Sequence, residues 1–284
     1  MATVEKVSGK DFELIYPLLE QLNSSRIKKN QWEKLFINHW SSQTDNFGYF
    51  LIEKNNAVGF LGLMFSTFIV NDKEHNFCNF TSWVVKEEHR NESIKLLLPV
   101  LKMKEYTLTS HTMSSDTYFI FKKLGFSDLE DTLVIIPPMP ILKRYSKKHQ
   151  IIINNQTIPS FLNEKDLKIY QDHSKLDAHF ILAQTKYDHC LIIATRPIKK
   201  HLPFIHLHYI SNLNVFFECI QKIRLRVCMQ LKASALLVDK RHLNKIKIFG
   251  SWEYSLPHPR LYKSDHLSKK DITTLYSEIL LLNL

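Results

Sequence analysis

The sequence predicts an α/β fold: α+β units on mixed sheets, with two copies of one architecture in tandem. Three observations carry this. Period-two runs rich in β-branched and aromatic residues alternate with helical runs whose apolar positions recur three and four apart. Each half then shows the same order of hairpin, strand, helix and strand. Between the halves, IIPPMPILKRYSKKHQ (135–150) breaks both periods, with Pro137, Pro138 and Pro140 followed by a basic run. We expect a first domain over 1–137, a linker over 138–150 and a second domain over 151–284.

Taken in order, Ser8 and Asp11 form a capping pair ahead of a helix carrying Phe12, Ile15, Leu19 and Leu22. A second amphipathic helix is expected over 31–40. Tyr49–Glu53 and Ala57–Val70 read as strands around an Asn55-Asn56 turn, and NDKEHN (71–76) as the turn before a third strand, Phe77–Val85. Ile94, Leu97, Leu98 and Leu101 mark one face of a helix that Pro99 kinks or shortens. Tyr106–Ser110 is a short strand. Ser114 or Ser115 caps a helix running through Lys123 and stopped by Gly125, and Leu133–Ile136 is a further strand.

Beyond the linker, His179–Thr185 and Asp188–Arg196 read as paired strands and Phe204–Ile210 as another. Leu213, Phe216, Phe217, Ile220, Val227 and Leu231 space a long helix, with Lys222, Arg224 and Arg226 on its solvated face. Ala233–Val238 is the strand after it, and Asp271–Leu284 a closing apolar helix.

Composition narrows the function classes. With 44% hydrophobic and 12% aromatic residues the chain has material for a well-buried core. Six glycines in 284 residues leave no glycine-rich loop. A formal charge of +10 suits an anionic partner, whether a phosphorylated cofactor, nucleic acid or a membrane surface, or reflects a solvated lysine surface. Cys78, Cys190, Cys219 and Cys228 stand in apolar segments without CxxC spacing, as expected of buried thiols in a reducing compartment. No apolar run approaches the ~20 residues of a membrane helix, and the N-terminal stretch lacks a signal-peptide core. These features together predict a cytoplasmic protein.

The stretch VVKEEHRNESIKLLLPVL (84–101) has the layout of a strand, a turn and a helix whose N-terminal amides hold phosphate, yet its turn has no glycine. Three readings stand open: a phosphate site built without glycine, the remnant of one, or an ordinary strand-to-helix corner. Ser93 is small and can donate, Arg90 and Lys95 can add charge-assisted contacts, and Glu92 opposes an anion unless it points away.

With AVGFLGL (57–63), SWVVKEEHRNESIKLLL (82–98) and YFIFKKLGF (118–126), the region from roughly 3 to 137 resembles the GNAT superfamily of acyl-CoA N-acyltransferases. The resemblance implies two GNAT-like domains, acetyl-CoA or another acyl-CoA as cosubstrate, and transfer of the acyl group to an amine or, less expectedly, a hydroxyl. It places Arg90 at the first position of the family's pyrophosphate turn, and Ser93 and Lys95 at its two glycine positions. Arg90, Asn91, Ser93, Ile94 and Lys95 thereby become the cofactor-binding turn, while Val84 and Val85 pair their backbone with the pantetheine arm. Many relatives carry a proton-donating tyrosine four residues before the "LGF" glycine; here that position is Phe121. Tyr118, on the same helix face, is the substitute acid, and His111 the candidate base. The pattern sWVV…R…S…LLL is also similar to bacterial acyltransferase-like proteins associated with surface-polysaccharide production, which implies a small-molecule amine or sugar acceptor. The second half has no counterpart of the turn and is expected to be a degenerate copy.

The rival expectation is a non-catalytic GNAT-like module that binds CoA or a protein, favoured by Phe121 and the missing glycines. Other constellations are weaker. His206 and His208 alternate on one strand with His201 nearby, but further zinc ligands at fixed spacing are missing, so no metal is expected. Trp252 and Tyr254 near Lys247 offer an aromatic-basic surface without a nucleic-acid motif.

Overall fold

The computed structural model describes residues 2–22, 27–40, 45–140 and 149–284. In the first part of the chain β1 (Thr3–Lys6) leads to α1 (Phe12–Glu20), and α2 (Lys29–Trp32) continues as a 3-10 helix to Phe36. The Ser8 N–H and hydroxyl both donate to Asp11 Oδ2, at 2.7 and 2.8 Å, which fixes the entry to α1. Phe12, Ile15, Leu18 and Leu19 form its buried face.

Two hairpins follow, β2 (Gly48–Glu53), β3 (Asn56–Val70) and β4 (Lys73–Val85). Their turns are Lys54-Asn55 (φ 49° and 61°) and Asn71-Asp72 (φ 50° and 62°), left-handed as two-residue hairpin turns require. The first lies one residue before the expected Asn55-Asn56. The second is far shorter than the expected 71–76: Lys73 pairs with Val70 and Asn76 with Thr67. Charged side chains here face solvent and do not end a strand whose backbone stays paired.

The Leu-rich run after β4 corrects an expectation. Glu87–Leu96 is a 3-10 helix, and α3 is only Leu98–Leu101. Pro99 falls in the first turn of α3, where its missing N–H costs no helical bond, and the run before it up to Leu96 is 3-10. The buried side chains are Leu96, Leu97 and Val100, whereas Ile94 and Leu98 are exposed. Next come β5 (Tyr106–Ser110) and α4 (Ser115–Lys123), with Ser114 Oγ accepting from the Thr117 N–H. Gly125 follows α4 with φ of 85°, a left-handed stop.

The rest of the chain gives β6 (Ser127–Ile136), β7 (Gln150–Ile153), α5 (Glu164–His173), β8 (His179–Gln184), β9 (His189–Thr195), the short β10 (Ile198–Lys199) and β11 (Leu202–Ile210). Then come α6 (Leu213–Gln230), β12 (Ala235–Asp239), β13 (Trp252–Lys263) and α7 (Glu278–Leu281). The closing helix is one turn, not the expected 271–284. No helix among the described residues is long and apolar enough to cross a membrane.

Compactness groups the chain into two units. The first holds 1–129, 260–272 and 276–282; the second holds 130–259, 273–275 and 283–284. Most of the expected linker, 141–148, lies outside the described residues. Unit one orders its strands β1-β2-β3-β4-β5-β13, antiparallel throughout except for the parallel pair β4–β5. Unit two orders them β7-β8-β9-β11-β12-β6, again with one parallel pair, β11–β12. Unit one is therefore closed by a strand far away in sequence, and unit two by the strand that opens its own segment. Leu261–Lys263 of β13 pairs with β5, and Leu133–Ile136 of β6 pairs with β12.

The core of unit one lies between its sheet and α3 and α4, with Leu61, Leu63, Phe80, Leu97, Val100, Phe121 and Leu261 at its centre. In unit two α6 lays Phe216, Ile223 and Val227 on Ile192, Leu207 and Leu236. The four cysteines are free and buried, and burial raises the thiol pKa of each.

Candidate active site

Strands β4 and β5 of unit one pair in parallel from Asn76–Tyr106 to Phe80–Ser110 and then part. Beyond Phe80, β4 runs on to Val85 against β3 alone, with Ser82 opposite Gly62 and Val85 opposite Gly59. Among the described residues no strand pairs with Thr81–Val85 on the side that β5 occupies lower down. That edge offers a strand's worth of unpaired backbone, the geometry for an added extended ligand. The parting is marked by a bulge: the register slips between Gly62 and Leu63, leaving Thr81 as the extra residue. Gly62 is required there, because a Cβ at this position would collide with Thr81 Oγ1 and the Phe60 ring. Val84 and Val85, the expected pantetheine partners, lie on this stretch.

At the far end of β4, Arg90 and Asn91 are exposed, Ser93 and Lys95 half-buried, and Ile94 exposed. They sit on the 3-10 helix and not at the mouth of a regular α-helix. Glu92 does not oppose an anion here. Lys95 Nζ donates to it at 2.6 Å and His89 approaches at 3.3 Å, and these two bonds, Lys95's first, hold its pKa below the ordinary carboxylate value. Lys95 is therefore engaged by Glu92, while Arg90 keeps its charge on the surface.

The two catalytic candidates sit apart in character. Tyr118 projects from α4 and donates to Asp128 Oδ1 at 3.2 Å. Desolvation first, then the Asp128 charge, raises its pKa, which keeps the phenol protonated at neutral pH. His111 directly follows β5 and is buried, at 7% exposure. Phe121, at the family's tyrosine position, is a core ring 4.7 Å from Phe126 and 5.9 Å from Trp83.

A further acidic residue, Glu278 of α7, reaches this fork. Cys78 and Phe80 face the core of α3 and α4, so Asn79 between them faces the opposite side of the sheet. There Asn79 Nδ2 donates to Glu278 Oε2, and Thr109 Oγ1 donates to Asn79 Oδ1 at 3.0 Å. Thr112 Oγ1 donates to Glu278 Oε1 at 2.6 Å. Burial pushes the carboxyl pKa up to about 7, against the opposing pull of the two side-chain hydrogen bonds and Arg260. Tyr276 anchors the segment, stacked on Phe68 at 4.5 Å and meeting the Trp40 edge at 5.4 Å. Sequence reading missed Glu278 because the bond joins residues 199 positions apart. The available signal was a single carboxylate inside the apolar tail of SEILLLNL.

In unit two the corresponding parallel pair β11–β12 parts after Leu207–Val238, with its own register slip at His208. No basic turn follows; Asn212 Oδ1 accepts from the Asn214 and Val215 N–H groups and caps α6. His206 is buried 3.6 Å from Asp239, and His208 Nε2 lies 2.9 Å from Thr195 Oγ1. Trp252 and Tyr254 are exposed on β13.

No family model and no curated relative matches the chain. Solved structures do. A conserved protein of Enterococcus faecalis V583, described as a probable N-acyltransferase, superposes with a TM-score of 0.61 over 93% of this chain and 72% of its own, at 12% identity. A Pyrococcus horikoshii protein named as a candidate acetyltransferase gives 0.56 over 96% and 92%, at 18% identity. A GCN5-related N-acetyltransferase from Anabaena variabilis ATCC 29413 gives 0.56 over 92% and 72%, at 11% identity. At such identities the likeness is one of fold. It spans nearly the whole chain.

Proposed function

We propose, from the GCN5-related N-acetyltransferase fold that this chain shares, that it is an acyl-CoA-dependent acyltransferase acting on an amine. The observation that carries the reading is the parted β4–β5 pair, whose free edge over Thr81–Val85 fits an extended pantetheine arm. Val84 and Val85 supply backbone groups to that arm. Arg90, Asn91, Ser93, Ile94 and Lys95 flank the diphosphate, with Arg90 as the exposed cation. The thioester then lies at the fork, beside His111 and below Tyr118. The protein's contribution is mainly to hold the amine in line with the thioester carbonyl, with Tyr118 giving a proton to the departing thiolate and His111 as the expected base.

The acceptor class is read from the resemblance carried by the sequence. It points to a small-molecule or sugar amine, and a role in surface-polysaccharide production is the finer form of the proposal. The cofactor is acetyl-CoA or a longer acyl-CoA, and the chain works in a reducing, cytoplasmic setting in keeping with its free thiols.

A second reading, a CoA-binding module without turnover, is favoured by one observation. The position of the family's acid is filled by a ring packed into the core, Phe121. Thermal melting with acetyl-CoA separates these readings. A ligand at about 100 times its Kd adds about 2.7 kcal/mol to the native state and raises the midpoint. No rise refutes both readings. A rise without CoA release across a panel of amines leaves the module.

A further inference from the structure

We propose that Glu278, acting through the Thr112 hydroxyl and in the place expected of His111, takes up the proton released in acyl transfer, with Thr112 as the group that meets the incoming amine. This rests on the acyltransferase reading above. The placement is what carries it. Phe80–Ser110 is the last β4–β5 pair, and Glu278 is held by Asn79, one residue before Phe80, and by Thr112, two residues after Ser110. The carboxylate therefore sits at the fork itself. It is fully buried, whereas Thr112 is exposed, so Thr112 is the one of the two residues that reaches the surface. Thr112 donates to Oε1, so the hydrogen bond already points in the direction in which a proton would move.

Other polar groups fit the same reading. Thr109 orients the Asn79 amide, so Asn79 can present its N–H to Oε2 and leave Oε1 for Thr112. The charge that acts on Glu278 is Arg260 of β13; His111 adjoins Thr112 in sequence, and Glu33 and Lys34 belong to the 3-10 helix that packs against α7. Arg260 favours the ionised carboxylate and burial favours the neutral one, which leaves the group able to hold either state near neutrality.

The step balances as follows. The neutral amine nitrogen bonds to the thioester carbonyl carbon, and the C–S bond breaks with its electron pair leaving on sulfur. The surplus proton on nitrogen passes to the Thr112 oxygen as that hydroxyl's own proton moves to Glu278 Oε1. Tyr118 protonates the thiolate and regains its proton from solvent, and Glu278 later returns its own proton to solvent along the same route.

The test has two stages. Melting with acetyl-CoA comes first and addresses only the acyltransferase reading; no rise in the wild type removes that reading and the relay with it. With binding established, thiol release from acetyl-CoA is followed from pH 5.5 to 9, with glucosamine, spermidine or lysine as the amine and with water alone. The wild-type rate is expected to rise through an inflection near pH 7. E278Q is expected to bind acetyl-CoA as the wild type does, to release thiol at least tenfold more slowly at pH 8 and to lose the inflection. T112V should behave likewise, and T112S should keep the inflection. The relay is overturned if E278Q retains the inflection, if T112V retains the wild-type rate, or if H111Q abolishes the inflection while E278Q leaves it. Thiol release no faster than in buffer, with acetyl-CoA bound, also overturns it and leaves the module. Should E278Q fail to fold, the exposed T112V carries the test.

Discussion

Replacing Glu278 by glutamine should change how stability depends on pH. In the folded chain the carboxyl pKa is raised from its ordinary 4.5 to about 7, chiefly by burial. The native state thus holds this proton to higher pH than the unfolded state does. Its contribution to stability is full below pH 4.5 and is lost as pH rises through about 7. At about 1.4 kcal/mol for each pH unit between the two values, the loss amounts to about 3 kcal/mol by pH 8. Glutamine copies the protonated form: its carbonyl accepts from Asn79 and its amide donates to Thr112. The variant should therefore lie within about 1 kcal/mol of the wild type at pH 5 and surpass it at pH 8. With m near 3 kcal/mol/M, the two urea midpoints should separate by roughly 1 M over that range. The assay is a urea titration of both proteins at half-unit steps from pH 5 to 9. Parallel curves would show that the carboxyl ionises normally and that burial has been misjudged. A wild type that gains on the variant with pH would mean that Arg260 dominates.

Other perturbations probe the remaining features. A chain of 1–137 lacks β13 and α7 and should stay unfolded by circular dichroism, and adding 150–284 should restore the signal. Phe121→Tyr puts a hydroxyl into a core site of 1% exposure and should cost about 1–3 kcal/mol in chemical denaturation without raising turnover. Arg90→Ala should weaken acetyl-CoA binding about three- to tenfold at low salt and flatten its salt dependence, read by calorimetry at two ionic strengths. Gly62→Ala crowds Thr81 and Phe60 and should cost about 1–3 kcal/mol, with loss of CoA binding if the bulge straightens.

The sequence was most readable where one element's own side chains decide its form. The strand at Tyr106–Ser110 has the expected bounds, and α6 ends one residue before the apolar stripe suggested. At 87–101 it was less so: the apolar spacing suits one α-helix, but the run is 3-10 up to Leu96, α-helix covers only Leu98–Leu101 with Pro99 in its first turn, and the buried side chains are Leu96 and Leu97. The strand β13 carries Pro257 and Pro259, which locally argue against a strand. What makes it one is pairing with residues far away in sequence. The same holds for Glu278: a Leu-rich tail has no polar face, so it names neither its partners nor its single buried charge. Of the candidate site, the β4 strand could be read from local sequence, but the form of the run after it and the acidic partner at the fork could not.

The late closing strand of unit one bears on how this protein is made. Leu261 lies roughly 150 residues after its partner Ser110, so unit one's sheet stays incomplete while most of the chain is being synthesised. On the ribosome, β5 would wait with an open edge until the C-terminal third emerges. Such a nascent chain is a natural client for holdase chaperones, and a premature stop before β13 would leave a product with a sticky flank instead of a smaller folded protein.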